Sequence, residues 1–296
     1  MKGLTMRAAF PIVALALAAT HIHAAAADKV PVSLARQGGW EINYDTDACH
    51  IFGRFGQGKD ETIVGITRYE PGNGFDLGLI GKPLQSRDPQ TPIELGYGEA
   101  APSWQMGMAG QAGSAKLPML NITSQRLDGW HPKSREDMPP PVTLAQEAAV
   151  RAITFKLLGG KRYRLETGSM AKPMEAMRAC LTDLMQSWGY DPAVQASLSR
   201  PLKPLSNPVM WFRTNDFPIN AAMMGHNGLV QVRMDVDAVG KMAGCHVLRR
   251  TNPDEFADIT CEILGKRARF SPALDAIGKP VKSFYMFKLH WITSNG

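Results

Sequence analysis

The chain has 296 residues, 44% hydrophobic and 20% charged, with 28 Gly, 21 Pro and 8% aromatics; that is apolar material for one large domain or two ordinary ones, and it excludes intrinsic disorder. The formal charge of +6 includes Lys2 and Arg7, leaving +4 on the rest, too weak a field to mark a nucleic-acid surface. The repeats and long apolar runs of collagen, coiled coils and polytopic membrane proteins are absent.

Lys2 and Arg7 precede an apolar stretch, Ala8 to Ala19, and the small-residue run Ala24-Ala25-Ala26-Ala27 ahead of Asp28. This is the pattern of a secretory signal over residues 1–26, cleaved near Ala26, and it predicts a periplasmic protein. The alternative is a retained inner-membrane anchor, which would have to bury His21 and His23 with Pro11 inside the span. Four cysteines follow: Cys49, Cys180, Cys245 and Cys261. An even count in an exported chain implies disulfides, and four cysteines allow three pairings. If the chain divides near residue 200, Cys49–Cys180 and Cys245–Cys261 are favoured. No C-x-x-C occurs, and His50 and His246 directly follow cysteines, so each pair diverges on a strand. Neither a metal nor any other cofactor is expected.

Residues 28–190 read as a β-rich domain. Trp40 to Tyr44 alternates, Ile51-Phe52 follows Cys49, and Thr62 to Tyr69 is β-branched up to the turn Pro71-Gly72-Asn73-Gly74. Phe75, Leu77 and Leu79 then alternate again, which predicts a hairpin. Leu117 to Thr123, Ala152 to Leu158 and Arg162 to Glu166 are further strands, with a Pro-rich surface loop over 129–142. One helix is predicted from the stripe Met174, Met177, Leu181, Leu184 and Trp188, with Pro173 at its start and Gly189 past its end. Cys180 lies beside that stripe, so a bond to Cys49 would fasten the helix to an early strand. Residues 191–210, with Pro192, Pro201, Pro204 and Pro208, read as a linker.

In the last part, 211–296, Val230, Val232, Met234 and Val236 alternate with Gln231, Arg233, Asp235 and Asp237, a half-buried strand with its charges in solvent. After the turn Ala238-Val239-Gly240 comes a partner strand with Cys245, Val247 and Arg249 on one side. Asn252 caps a helix with buried face Phe256, Ile259, Ile263 and Leu264. A last strand carries Val281, Tyr285, Phe287, Leu289 and Trp291 on one side. The fold class is α+β, the β-rich domain being followed by a small antiparallel sheet with one helix packed on it.

The series Asp216-Phe217-Pro218, Gly228-Leu229-Val230, Asp237-Ala238-Val239-Gly240, Arg267-Ala268-Arg269-Phe270-Ser271-Pro272-Ala273 and Gly278-Lys279-Pro280-Val281 resembles the C-terminal domain of TonB-family energy transducers. The resemblance spans about residues 212–292. It implies a domain whose sheet edge accepts an extended peptide by strand addition, in that family the TonB box of an outer-membrane receptor. By that analogy the docking edge is Phe284, Met286, Lys288 and His290, with Asn215 and Phe217 nearby. Envelope proteins would be the partners, and a homodimer through the same edge is a further expectation. The family also carries a membrane helix and a long Pro-rich stem; here a folded region of about 160 residues takes the stem's place, which weighs against energy transduction unless the signal is retained.

No catalytic motif occurs: G-x-S-x-G, H-E-x-x-H and Walker loops are all missing. His50, His131, His226, His246 and His290 read as surface or hydrogen-bonded core residues, Asp235 and Asp237 as solvated charges beside Arg233, and Arg267 and Arg269 as complements to a helix end. The missing motifs predict a non-enzymatic exported binding protein, and the resemblance implies a link to TonB-dependent outer-membrane transport. The competing expectation is a periplasmic enzyme with its site in the N-terminal domain near His50 or His131.

Overall fold

A computed structural model describes residues 30–131, 137, 139–250 and 255–293. The expected signal and the capping residues Asn252-Pro253-Asp254 lie outside the described residues. Nine strands form a closed barrel: β1 (Val32–Tyr44), β2 (Cys49–Phe55), β3 (Thr62–Arg68), β4 (Phe75–Ile80), β5 (Gln90–Tyr97), β6 (Ser103–Ala112), β7 (Leu117–Gln125), β8 (Ile153–Leu157) and β9 (Arg162–Glu166). The order around it is β1-β2-β3-β4-β7-β6-β5-β8-β9. Parallel pairing of β1 with β9, from Val32↔Tyr163 to Ala35↔Glu166, closes the ring and leaves no barrel edge unpaired.

Alternation sets the interior. Ile51, Phe55, Val64, Ile66, Leu77, Leu79, Ile93, Leu120, Ile122 and Phe155 are buried in one continuous apolar core, so the barrel is filled by its own side chains. The predicted hairpin is present, with Ile63↔Ile80 through Thr67↔Asp76 joined across residues 69–74. Two strands have no sequence forecast, β5 and β6. Pro92 interrupts the first, and Gly107, Gly110 and two alanines dilute the second, so neither has the β-branched signature that marks the others.

Helix α1 (Leu144–Ala149) is opened by a Thr143–Gln146 capping box. Helix α2 (Ala171–Ser187) starts two residues before Pro173 and stops where Gly189 takes φ +80°. Its stripe of Met174, Met177, Leu181 and Leu184 enters the barrel core, and the Cys49–Cys180 disulfide fixes it to β2. Residues 191–210 carry the short helix α3 (Pro192–Ala196) and strand β10 (Lys203–Pro204), which pairs with β13 (Phe270–Ser271).

After helix α4 (Ile219–Met224), β11 (Gly228–Val236), β12 (Met242–Arg250) and β16 (Ser283–Trp291) build an antiparallel sheet in the order β12-β11-β16. Helix α5 (Glu255–Arg267) covers one face, where Val230, Val232, Met234 and Val236 meet Phe256, Ile263 and Leu264. Two-residue strands β14 (Ala273–Leu274) and β15 (Pro280–Val281) pair beside it. The second disulfide, Cys245–Cys261, ties β12 to α5. From Pro31 onward the chain is one compact unit.

The two cross-links close loops of very different length, 131 residues for Cys49–Cys180 and 16 for Cys245–Cys261. Loop-closure entropy makes the longer one worth about 1–2 kcal/mol more. Urea unfolding of Cys49→Ala/Cys180→Ala should therefore show a loss of about 3–5 kcal/mol, exceeding that of Cys245→Ala/Cys261→Ala.

Candidate functional site: the second face and open edge of the C-terminal sheet

The centre of the sheet face turned away from α5 is not in solvent, contrary to the sequence expectation. Gln231 and Arg233 are only 7% and 4% exposed, so β11 is buried on both sides. Cross-strand register places Arg249, Gln231 and Lys288 in one row and His246, Arg233 and Met286 in the next. A register shift between Gln231 and Val232 changes the phase of β12. That bulge turns Arg249 to the barrel instead of to the side of Cys245 and Val247, where simple alternation places it.

Asp76 of β4, 6% exposed, lies over the first row. It accepts from the Ser124 amide (3.1 Å) and from Arg249 (3.2 Å), and pairs with Lys288 (3.4 Å); Arg249 also donates to Asn121 of β7 (3.3 Å). The second cluster is built from the end of α2. Arg233 stacks over the Trp188 ring at 4.1 Å and donates to Asp235 (3.0 Å), which also accepts from Tyr190 Oη (2.8 Å) and meets His246 Nε2 (2.7 Å). Asp235 is thus a partnered junction carboxylate, not a solvated charge. Burial works to raise its pKa, but the hydrogen bonds from Tyr190, Arg233 and His246 and the Arg233 charge outweigh it and hold the carboxyl below its ordinary range.

Among the described residues β16 pairs with β11 alone, which leaves its other edge without a strand partner. The side chains of Phe284, Met286, Lys288 and His290 project to the barrel face. Phe284 packs on Trp188 and Tyr190 (5.7 and 5.1 Å between centroids), and Lys288 reaches Asp76. His290 is the most open of the four; the partial burial of its ring, then the Lys288 and Arg249 charges, lower its pKa. Tyr285, Phe287, Leu289 and Trp291 take the opposite face, against Phe270, Trp211 and Phe212. Phe217 packs on Phe256 and Trp291, while Asn215 is exposed. Arg267 clamps this segment, donating to Asp216 (2.5 and 2.8 Å) and the Trp211 carbonyl (2.8 Å).

A cavity of about 680 Å³ opens beside the middle of β16, between Met286–Lys288, the β3–β4 turn and the loop at Trp130 and His131. A smaller one of about 190 Å³ adjoins Phe284, and Glu70 and Pro71 border both. Buried Arg68 stiffens the turn by donating to the carbonyl of Gly72 (2.8 Å). Burial lowers its guanidinium to about 10, still charged at neutral pH.

The other histidines have structural roles or none that the geometry assigns. His50 bonds Thr67 Oγ1 (2.9 Å), its pKa lowered by burial against the pull of Asp45. His131 Nε2 is shared between Ser103 (3.2 Å) and Gln105 (2.8 Å). His226 is exposed. Among the described residues no three His, Cys, Asp or Glu side chains group to hold a metal ion. The junction carboxylate Asp76 was not singled out by sequence; its only signal is an acid between the apolar Phe75 and Leu77 on a strand.

Residues 213–293 match the family described as Gram-negative bacterial TonB protein C-terminal. Comparison of the chain with curated proteins and with solved structures finds no match. The last third of the molecule is therefore a TonB C-terminal-like domain, and the barrel lies outside the match.

Two measurements probe this junction. Asp76→Ala leaves Arg249 and Lys288, each about a quarter exposed, without their shared anion; unfolding by urea should show a loss of about 2–3 kcal/mol. Asp235 has a folded pKa below its unfolded value near 3.9, so its stabilisation is full above about pH 4 and vanishes as pH falls through the folded value. Asp235→Asn should accordingly flatten the acid limb of stability measured below pH 4.

Proposed function

Proceeding from a TonB C-terminal-like domain, we propose that the protein is an exported, non-catalytic envelope protein that captures an extended segment of another envelope protein by strand addition at β16, in the service of TonB-dependent outer-membrane transport. The observation that carries this reading is the second edge of β16, without a strand partner among the described residues and bordered by a cavity of about 680 Å³. An incoming strand would find main-chain groups on one side and space for its side chains on the other. The filled barrel serves as a platform that holds the sheet from its second face, and the two disulfides suit an oxidising compartment.

Amide hydrogen exchange, followed with a receptor TonB-box peptide added in excess, tests the proposal. Exchange across residues 284–291 should slow by about tenfold or more as new main-chain hydrogen bonds form, with the barrel strands unchanged. Unaltered exchange in that strand, at a peptide concentration that saturates binding elsewhere, would overturn it. Slowing that tracks protein concentration without peptide would instead assign the edge to a second copy of this chain.

A further inference from the structure

The groove beside β16 has an unequal supply of charged partners. Asp76 is taken by Arg249, Lys288 and the Ser124 amide. Arg126 is held by both oxygens of Asp128 (2.9 and 2.6 Å) and by the Pro140 carbonyl. Arg68 is buried beneath the groove and donates to the carbonyls of its own turn and to Met174 Sδ, its Nε having no hydrogen-bond partner among the described residues. Glu70 differs: it is exposed, borders both cavities along β16, and makes no hydrogen bond or ion pair among the described residues. Lys288, the charge that acts on it, is tethered to Asp76. The next residue, Pro71, has no N–H to offer an edge, so the turn borders β16 without pairing to it.

We infer that this groove selects an extended segment carrying a basic side chain, Lys or Arg, on its barrel-facing register, held by Glu70. The inference rests on the strand-addition reading and adds a partner chemistry to it. Side chains of an added strand recur on one face every second residue, about 6.6–6.8 Å apart. That is the interval from Phe284 at the smaller cavity to Met286 at the larger, with Glu70 bordering both. A carboxylate that makes no hydrogen bond or ion pair among the described residues, at the border of two cavities, gains from a cation that brings its own donors. The barrel thereby acts as half of the recognition surface as well as a support.

The test uses the whole protein and a receptor TonB-box peptide, with Lys, Glu or Ala placed in turn at alternate positions, and affinities read by calorimetry. One Lys position should bind about tenfold tighter than its Ala counterpart, the ratio for a charge-assisted hydrogen bond. In Glu70→Gln that preference should fall to about twofold or less, and in Glu70→Lys it should pass to the Glu peptide. A Lys preference unchanged in Glu70→Gln, or no preference at any position, overturns this inference while leaving strand addition intact. Loss of all binding together with unchanged exchange in 284–291 overturns the strand-addition reading itself.

Discussion

One buried carboxylate organises the molecule. Asp76 projects outward from a strand of a closed barrel, a position that ordinarily faces water, and instead lies under a second sheet at 6% exposure. Arg249 and Lys288 approach it from the two flanking strands of that sheet, while the Ser124 amide supplies a third donor. A buried charge without such partners would carry a large desolvation penalty. The arrangement fixes which strands of the C-terminal module meet the barrel and in what register. The cavity of about 680 Å³ opens beside these contacts, with Asp76 and Lys288 in its lining.

Much of the fold is legible in the residues. The period-two strands, the 69–74 turn, the α2 stripe and the strand–strand–helix–strand order of the last third all rest on strong local periodicity, and all are present. The favoured cysteine pairing also matches the two disulfides. Closure of the barrel is not a local property: it depends on β1 meeting β9 across 131 residues for Val32 and Tyr163. Strands β5 and β6 escape because Pro92 and the small residues of β6 lack the composition that marks a strand.

The site was harder to read for a specific reason. Alternation of Val230, Val232 and Val236 with Gln231, Arg233 and Asp235 is what a one-sided sheet looks like, and polarity on the second face implies water. Here the polar face is buried by a polar surface. The guanidinium of Arg233 lies on Trp188, and its charge is answered by Asp235. Sequence periodicity identifies faces but not what covers them, and a one-residue bulge was enough to send Arg249 across the sheet. The family elements, by contrast, were readable because turns and aromatic-proline pairs carry their conformational demands in single residues.

Each disulfide lies wholly on one side of the seam between barrel and tail sheet: one joins α2 to β2, the other α5 to β12. No disulfide crosses the seam, which is spanned by the backbone of residues 191–210 and held by ion pairs, a stacked guanidinium and aromatic edges. Under tension applied through a captured strand, the two cross-linked blocks would resist unravelling while the contact between them yields first. Under such a load the two cross-linked blocks would part at the joint that forms the wall of the groove.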